Sequence, residues 1–465
     1  HTINPSNSEE IDKIKGEYRG TKLKKDDISS FLNDKESFLT GGRVYVLHFP
    51  GDMKKGDTLW YSYEQKKADM VFFPIHYVPN ETLVKKYSVV IKHPSDLSVD
   101  FELFFPRDSI KCTIINPSPT LTTISFDSIP EAKELPYFPF NGYNASFITI
   151  ISKEGLDITP ISPLDFTGWY FGHLDTIPQL TDSLPAALRN LLNSSPNDIA
   201  RLKIIYDYIQ TNIRRVSDVR GLNAYVPHAP SFVLNNLYGD CKDRAFLCKS
   251  LAALYGIPVN LALISTEVMA TFKSIHANLF NHVICLYEDS PGMIFFDPTI
   301  KYYSFGNLWG KLAGEKTFII DSVRPRYETT ATDLTLPTFE ISITGSMSEP
   351  KNCSASVIFR GDYYAYVGEG WSASGSVERE NFLSQALNKR IINIAIDNFQ
   401  LINQNDIEIS FTARADLSRF IINSGNKKYI PANIFTNLNG DLLERREDSY
   451  PLYFENPRNM SLILD

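Results

Sequence analysis

Cysteine is scarce in this chain, and so are tryptophan and histidine: five, four and eight among 465 residues. An odd, scattered set of cysteines does not make a disulfide framework. There is no Cys-x-x-Cys pair and no His-Glu-x-x-His, and the histidines lack metal-ligand spacing. The Asp-x-Asp-x-Asp-Gly pattern of a calcium loop is missing too. We therefore expect no metal and no cofactor. No apolar run approaches the roughly 18 residues of a membrane span, so no transmembrane segment is expected. Positive charge is also short: 46 Lys and Arg stand against 54 Asp and Glu, a net charge of −8. The densest basic stretch, KIKGEYRGTKLKK from Lys13 to Lys25, is broken by Glu17 and followed by acids. It suits a solvated face, and no nucleic-acid partner is expected. The opening HTINPSNSEE has neither an initiator Met nor a signal peptide. That leads us to expect a mature or trimmed chain in an extracytoplasmic setting, periplasmic or at the cell surface.

What remains is a globular composition, 43% hydrophobic and 12% aromatic. At roughly 100–200 residues per domain, the length suggests about three domains. The first, residues 1–165, is expected to be β-rich and sandwich-like. RVYVLHF (Arg43 to Phe49) and TLWYSYE (Thr58 to Glu64) suit two strands around a Gly/Asp turn. LSVDFELFF, from Leu97, alternates with a period of two. Residues 166–195 are expected to be a linker. A core over 196–330 opens with SSPNDIARLKIIYDYIQTNI, where Ser195 suits an N-cap and Pro196 the first helical position. Ile199, Leu202, Ile205, Ile209 and Ile213 recur at helical spacing. A second helix, in NLYGDCKDRAFLCKSLAALYGIP, is apolar over most of its surface and suits a buried position, with Gly256 at C′. Three strand-like runs follow: VNLALIST, NHVICLYE and MIFFDPT. Residues 331–465 return to β, in FEISITGSM, CSASVIFRGDYYAYV and DIEISFTARAD, interrupted by one helix, VERENFLSQALNKR. The expected fold class is α+β, a core flanked by two β-rich domains.

Three residues of the core stand in a useful order. Cys241 starts the buried helix, His282 opens the second following strand, and Asp297 ends the third. A thiolate nucleophile gains from the unpaired N–H groups and macrodipole of a helix N-terminus. A histidine can take and return the thiol proton, and a carboxylate can orient the ring. The backbone N–H of Cys241 is placed to donate to an oxyanion. Each residue alone suits a structural role better: a small core cysteine, a core histidine, a turn-forming Asp; the ordered set is the stronger signal. Cys248 is about two turns along the same helix face, and Cys285, at an odd offset from His282, falls on the other face of its strand. Both suit the core.

The segments YGDCKDRAFLCKSLAALYGIP, FNHVICLY and FFDPT resemble the transglutaminase-like core, in particular that of bacterial proteins with a preceding β-rich domain of unknown function and a C-terminal β-domain. LNAYVP occupies the place of their GGY-x-P region, and the resemblance covers about residues 196–300. It implies a papain-like fold with Cys241 as nucleophile, His282 as general base and acid, and Asp297 as the orienting residue. Animal transglutaminases use a tryptophan upstream of the cysteine for the oxyanion. This chain has none between Trp169 and Trp309, and Tyr225 is the substitute we expect. Lys242 and Asp243 match without an assigned chemistry and are expected to hold the loop.

The expected function is cysteine-nucleophile acyl transfer, a peptidase or amidase acting on a peptide or protein substrate. Transamidation of protein glutamine is the alternative chemistry. A binding or scaffold protein with an inactive core is the alternative class. Oligomeric state is not legible.

Overall fold

The structure, a computed structural model, describes residues 2–3, 9–32, 38–39, 43–49, 51, 54, 56–67, 76–79, 83–105, 110–131, 145–159, 162–181, 184–266, 273–289, 292–301, 303–331, 339–388, 394–405, 408–425, 427–430 and 459–464. The chain divides into two compact units. One comprises His1–Lys133, Phe140–Met293 and Lys316–Glu328; the other comprises Glu134–Pro139, Ile294–Glu315 and Thr329–Asp465.

The first unit begins in β structure. RVYVLHF and TLWYSYE do form strands, Arg43–Leu47 and Leu59–Lys67. They do not pair around their turn, as the sequence suggested. Arg43–Leu47 lies between Thr2–Ile3 and Ile28–Leu32, and Leu59–Lys67 pairs with Glu9–Tyr18. The ten-residue Glu9–Tyr18 is a long antiparallel partner, and the Lys13 ammonium meets the Glu64 carboxylate across the ladder at 2.7 Å. Further on, two small antiparallel sheets pack face to face. Leu97–Phe104 pairs with Ser146–Lys153, and Leu121–Ile129 runs between Val84–Lys92 and Lys111–Ser118. Phe126 and Phe147 stack between them at 5.7 Å, with Ile124, Ile129 and Val78 buried alongside.

Residues 166–195, expected to be a linker, carry helices: α1, Pro163–Leu174, and α2, Ala186–Ser194. Ser162 caps α1 by accepting from Asp165 N at 3.1 Å, and Pro163 fits the first turn. Phe166, Tyr170 and Leu174, four apart, form its buried face; Phe166 meets Phe280 and Phe318. The next helix, α3, is Asp198–Asn212, and its cap is Asn197 rather than Ser195. Asn197 Oδ1 accepts from Ala200 N at 2.9 Å, while the Ser195 hydroxyl is committed to Leu191 O at the end of α2. Leu202, Ile205, Tyr206 and Ile209 are buried, whereas Ile199 lies outside the buried stripe.

A short helix α4, Pro230–Asn236, precedes α5, Cys241–Ala253. Two bonds close α5, Ile257 N to Ala252 O and Gly256 N to Ala253 O, with Gly256 at φ +72°. This is a Schellman end, and the positive φ is what requires glycine there. The expected strands are present as Val259–Ile264, His282–Asp289 and Gly292–Phe296. With Lys316–Ile320 and Arg326–Thr329 they complete a five-stranded sheet. Its order runs Gly292–Phe296, His282–Asp289, Val259–Ile264, Lys316–Ile320, Arg326–Thr329. Val259–Ile264 is antiparallel to both neighbours.

The second unit has its own five-stranded sheet, ordered Ala395–Gln404, Glu408–Asp416, Cys353–Arg360, Phe339–Gly345 and Asn459–Leu464; only the last pairing is parallel. The expected strand CSASVIFRGDYYAYV is half helix. It breaks at Gly361, φ +59°, and continues as α6, Asp362–Ala373. The expected helix follows as α7, Ser376–Asn388, so two helices stand where one was expected. Gly370 of α6 lets the Phe382 ring lie directly against the backbone, where a Cβ would sit 2.0 Å from the ring. Mixed helix and strand agree with the α+β expectation.

Candidate active site

Cys241 is the first residue of α5 and is partly exposed, whereas Cys248 and Cys285 are fully buried. The residues around it explain why the helix starts there. Asp240 is the N-cap, and its carboxylate accepts from Asp243 N at 3.4 Å. Asp243 reciprocates by accepting from Asp240 N at 3.0 Å, which closes a capping box. Gly239 is needed for the fit: a Cβ there would lie 2.7 Å from Asp243 Cβ. The helix therefore begins on two buried carboxylates.

Their charge is met from three directions. Lys242, itself buried, donates to Asp240 Oδ2 and to Asp218 O, the latter at 3.0 Å. Asp218 N donates to Asp240 Oδ2 at 3.2 Å. The Asp218 carboxylate is gripped by Arg220 through Nε and Nη2 at 2.9 and 2.6 Å. His228 closes the ring. Its backbone N–H donates to Asp243 Oδ1 at 2.8 Å, and its Nδ1 lies 3.2 Å from the same oxygen. Its Nε2 lies 3.5 Å from Asp218 Oδ2, and its ring stacks on Phe232 at 4.8 Å.

The titration behaviour follows from this packing. Burial pushes Asp240 upward, with Asp243 adding to the rise and Lys242 opposing it. Burial also pushes on Asp243, but the His228 hydrogen bond and Lys242 outweigh it and hold Asp243 below the usual carboxylate range. Burial is the largest influence on Asp218 too, yet the Arg220 hydrogen bonds and charge bring it down to about 2. The Asp243 hydrogen bond raises His228 against its own burial. Lys242 loses to burial but gains more from Asp240, Cys241 and Asp243, and ends raised.

His282 is buried and is the first residue of its strand, with Ile264 as its cross-strand partner. The preceding Asn281 pins that strand end: its Oδ1 accepts from Thr266 N at 2.9 Å and Thr266 Oγ1 at 3.2 Å. The Cys285 thiol donates to Ala245 O of α5 at 3.7 Å. The Cys285 face of the strand thus meets the helix body, and alternation turns His282 to the other face. Asp297 is buried just past Gly292–Phe296, and its Oδ1 accepts from Thr299 N at 2.8 Å in a tight turn. Among the described residues, the Cys241 thiol makes no hydrogen bond. Tyr225 is occupied: its hydroxyl donates to Asn278 Oδ1, and its carbonyl accepts from the Tyr170 hydroxyl at 3.2 Å. An oxyanion role for Tyr225 would require releasing Asn278.

Sequence reasoning singled out neither His228, Asp218 nor Tyr170. Burial pushes Tyr170 well up, with Cys241, Asp240 and Asp243 adding to the rise. The Asp240/Asp243 spacing was a legible signal, because acids three apart at a helix start are a capping-box pattern. Nothing in the local sequence pointed from His228 to Asp243. Among the described residues, no group of His, Cys, Asp and Glu is arranged to hold a metal. No described helix is long and apolar enough to cross a membrane.

Neither a family model nor a curated protein sequence matches the chain. Among solved structures it is similar to that of a "putative protease" from Parabacteroides distasonis, with a TM-score of 0.54 and 13% identity over 93% of this chain and 86% of that one. At this identity the likeness is one of fold. A "putative cysteine protease" from Cytophaga hutchinsonii also matches, at 15% identity over 47% of this chain and 73% of that one, with a TM-score of 0.21.

Proposed function

We propose that the chain is a thiol hydrolase of transglutaminase-like type, cleaving a peptide or carboxamide bond through a thioester acyl-enzyme. The observation that carries this is the partly exposed Cys241 at the first position of a helix built on a buried cap, beside two fully buried cysteines. The fold likeness to a structure named as a protease supports the same reading. In the proposed mechanism the Cys241 thiolate attacks the carbonyl carbon, and the Cys241 N–H and the helix dipole stabilise the oxyanion. His282 takes the thiol proton and returns it to the leaving amine, which departs as the thioester forms. Water then adds to the thioester, His282 takes its proton, and the carboxylic acid and free thiol are released. Asp297 orients the His282 ring and stabilises imidazolium. An amine in place of water would make the same site a transamidase.

A second reading has its own support. Among the described residues the Cys241 thiol makes no hydrogen bond, which favours a scaffold with an inactive core. Catalytic hydrogen bonds are often long before substrate binds, so the distinction is experimental. Iodoacetamide labelling over a pH series, with the labelled cysteine mapped, separates the two. Preferential labelling of Cys241 below pH 7, lost in His282→Ala, supports the enzyme. Uniform slow labelling, or none at Cys241, supports the scaffold. Peptide amides with and without a free-amine acceptor then divide hydrolase from transferase.

A further inference from the structure

The buried cluster under Cys241 is rich in negative charge: among the described residues, the carboxylates Asp218, Asp240 and Asp243 meet the cations Arg220 and Lys242 and the His228 ring. Asp218, Asp240, Lys242 and Asp243 are all nearly inaccessible to solvent, and only Arg220 reaches water to any extent. A net negative charge in such a place is costly, because water cannot screen it. His228 stands between the carboxylates, with Nδ1 3.2 Å from Asp243 Oδ1 and Nε2 3.5 Å from Asp218 Oδ2. A neutral imidazole can donate to only one of them. An imidazolium can donate to Asp243 while meeting Asp218 as an ion pair at 3.5 Å, which offsets negative charge on both sides. Phe232 offers its ring face. The Asn223 amide nitrogen donates to Asp218 Oδ2 at 3.3 Å and lies 3.2 Å from Nε2, so a proton on Nε2 requires that amide to move aside.

We propose that His228 is a positioning residue that works as an imidazolium: it bridges Asp243 to Asp218, completes the charge of the capping box, and thereby holds the helix start that presents Cys241. The proposal rests on the thiol-enzyme reading for its activity consequence, and on the cluster alone for its titration. It concerns a histidine separate from the proposed triad.

The sign of the pH effect follows. A histidine whose folded pKa lies above its unfolded value contributes stability that is full below about 6.5 and is lost as pH rises through the folded value. The test uses the full chain, comparing wild type with His228→Gln. The His228 ring-proton resonance, assigned by its absence from the variant, should titrate above about 6.5. The melting-temperature gap between the two proteins should be widest near pH 6 and close toward pH 9. Iodoacetamide labelling of Cys241 at pH 6 should slow by about tenfold in the variant. Should the Gln variant not fold, His228→Lys keeps a permanent cation. It should label Cys241 normally, and its melting temperature should hold to a higher pH than that of wild type. A His228 midpoint at or below about 6.5, or a stability gap that does not change with pH, overturns the proposal while leaving Cys241 reactive. Absence of Cys241 labelling in wild type at every pH overturns the thiol-enzyme reading and the activity half of this one; the His228 titration then still reports on the cluster.

Discussion

Two five-stranded sheets in this chain carry helices, and they are built on opposite principles. The sheet of the second unit packs α6 and α7 chiefly through apolar groups, with Phe339, Ile341, Val357, Phe411, Tyr363, Val367, Leu383 and Leu387 in one cluster. Hydrogen bonds from the Ser384 hydroxyl to Ile396 O and from Asn398 N to Glu380 add to this at the strand Ala395–Gln404. Its charges sit at the rim, where Arg360 meets Glu340 and Glu408, and Arg414 meets Asp397. The sheet containing His282 packs α5, whose first turn buries Lys242, Asp243 and Arg244. A helix needs no buried charge to pack against a sheet, as α6 and α7 show. Apolar residues of similar size are commonly as stabilising as a buried ion pair, or more so. The charges under α5 therefore serve position: they set where the helix begins, and Cys241 stands at that point.

The comparison can be broken in four ways. The largest expected effect is on chemistry: Cys241→Ala should lower peptide-amide hydrolysis by at least about 10³-fold while leaving the melting temperature nearly unchanged. Activity retained in that variant would remove Cys241 from the mechanism. Next comes stability at the buried end. Lys242→Ala leaves Asp240 buried beside Asp243 without its cation, and urea unfolding should show a loss of about 3–5 kcal/mol. A loss below about 1 kcal/mol would mean that the cluster is hydrated and behaves like a surface pair.

The third prediction concerns acid. Asp218 has a folded value of about 2 against an ordinary 3.8. A carboxylate depressed in this way contributes stability that is present above the unfolded value and lost as pH falls through the folded one. Wild type should exceed Asp218→Asn by about 1–2 kcal/mol near pH 5, allowing for the half-exposed Arg220, and the margin should vanish toward pH 2. A margin independent of pH would assign Asp218 a packing role only. The smallest effect belongs to the other sheet, where Arg360→Ala should cost about 1 kcal/mol or less, because its partners are part-exposed.

Local pattern carried much of the fold. The helices over Asp198–Asn212 and Cys241–Ala253, and the three strands after them, follow from apolar period, a cap and a glycine stop. Pattern failed where a neighbour outbid it. Ser195 is a good cap residue, but α2 takes its hydroxyl, and Asn197 caps α3 instead. Arg43–Leu47 and Leu59–Lys67 are strands with a turn between them, yet each found a partner elsewhere. DYYAYV alternates like a strand and is a helix, because Gly361 turns the chain and Tyr363 and Tyr364 then share a buried face with Val367, while Tyr366 points out.

For the candidate site the division is sharper. The sequence alone determined that Cys241 begins a helix and that His282 and Asp297 lie at strand ends, because element boundaries are local matters of capping, period and turn chemistry. Only the tertiary structure decided that Asp218 and His228, remote along the chain from Asp243, complete the cap beneath the thiol. It alone decided that Tyr225 spends its hydroxyl on Asn278. Burial and charge balance depend on which residues meet across the fold, and no local period encodes them.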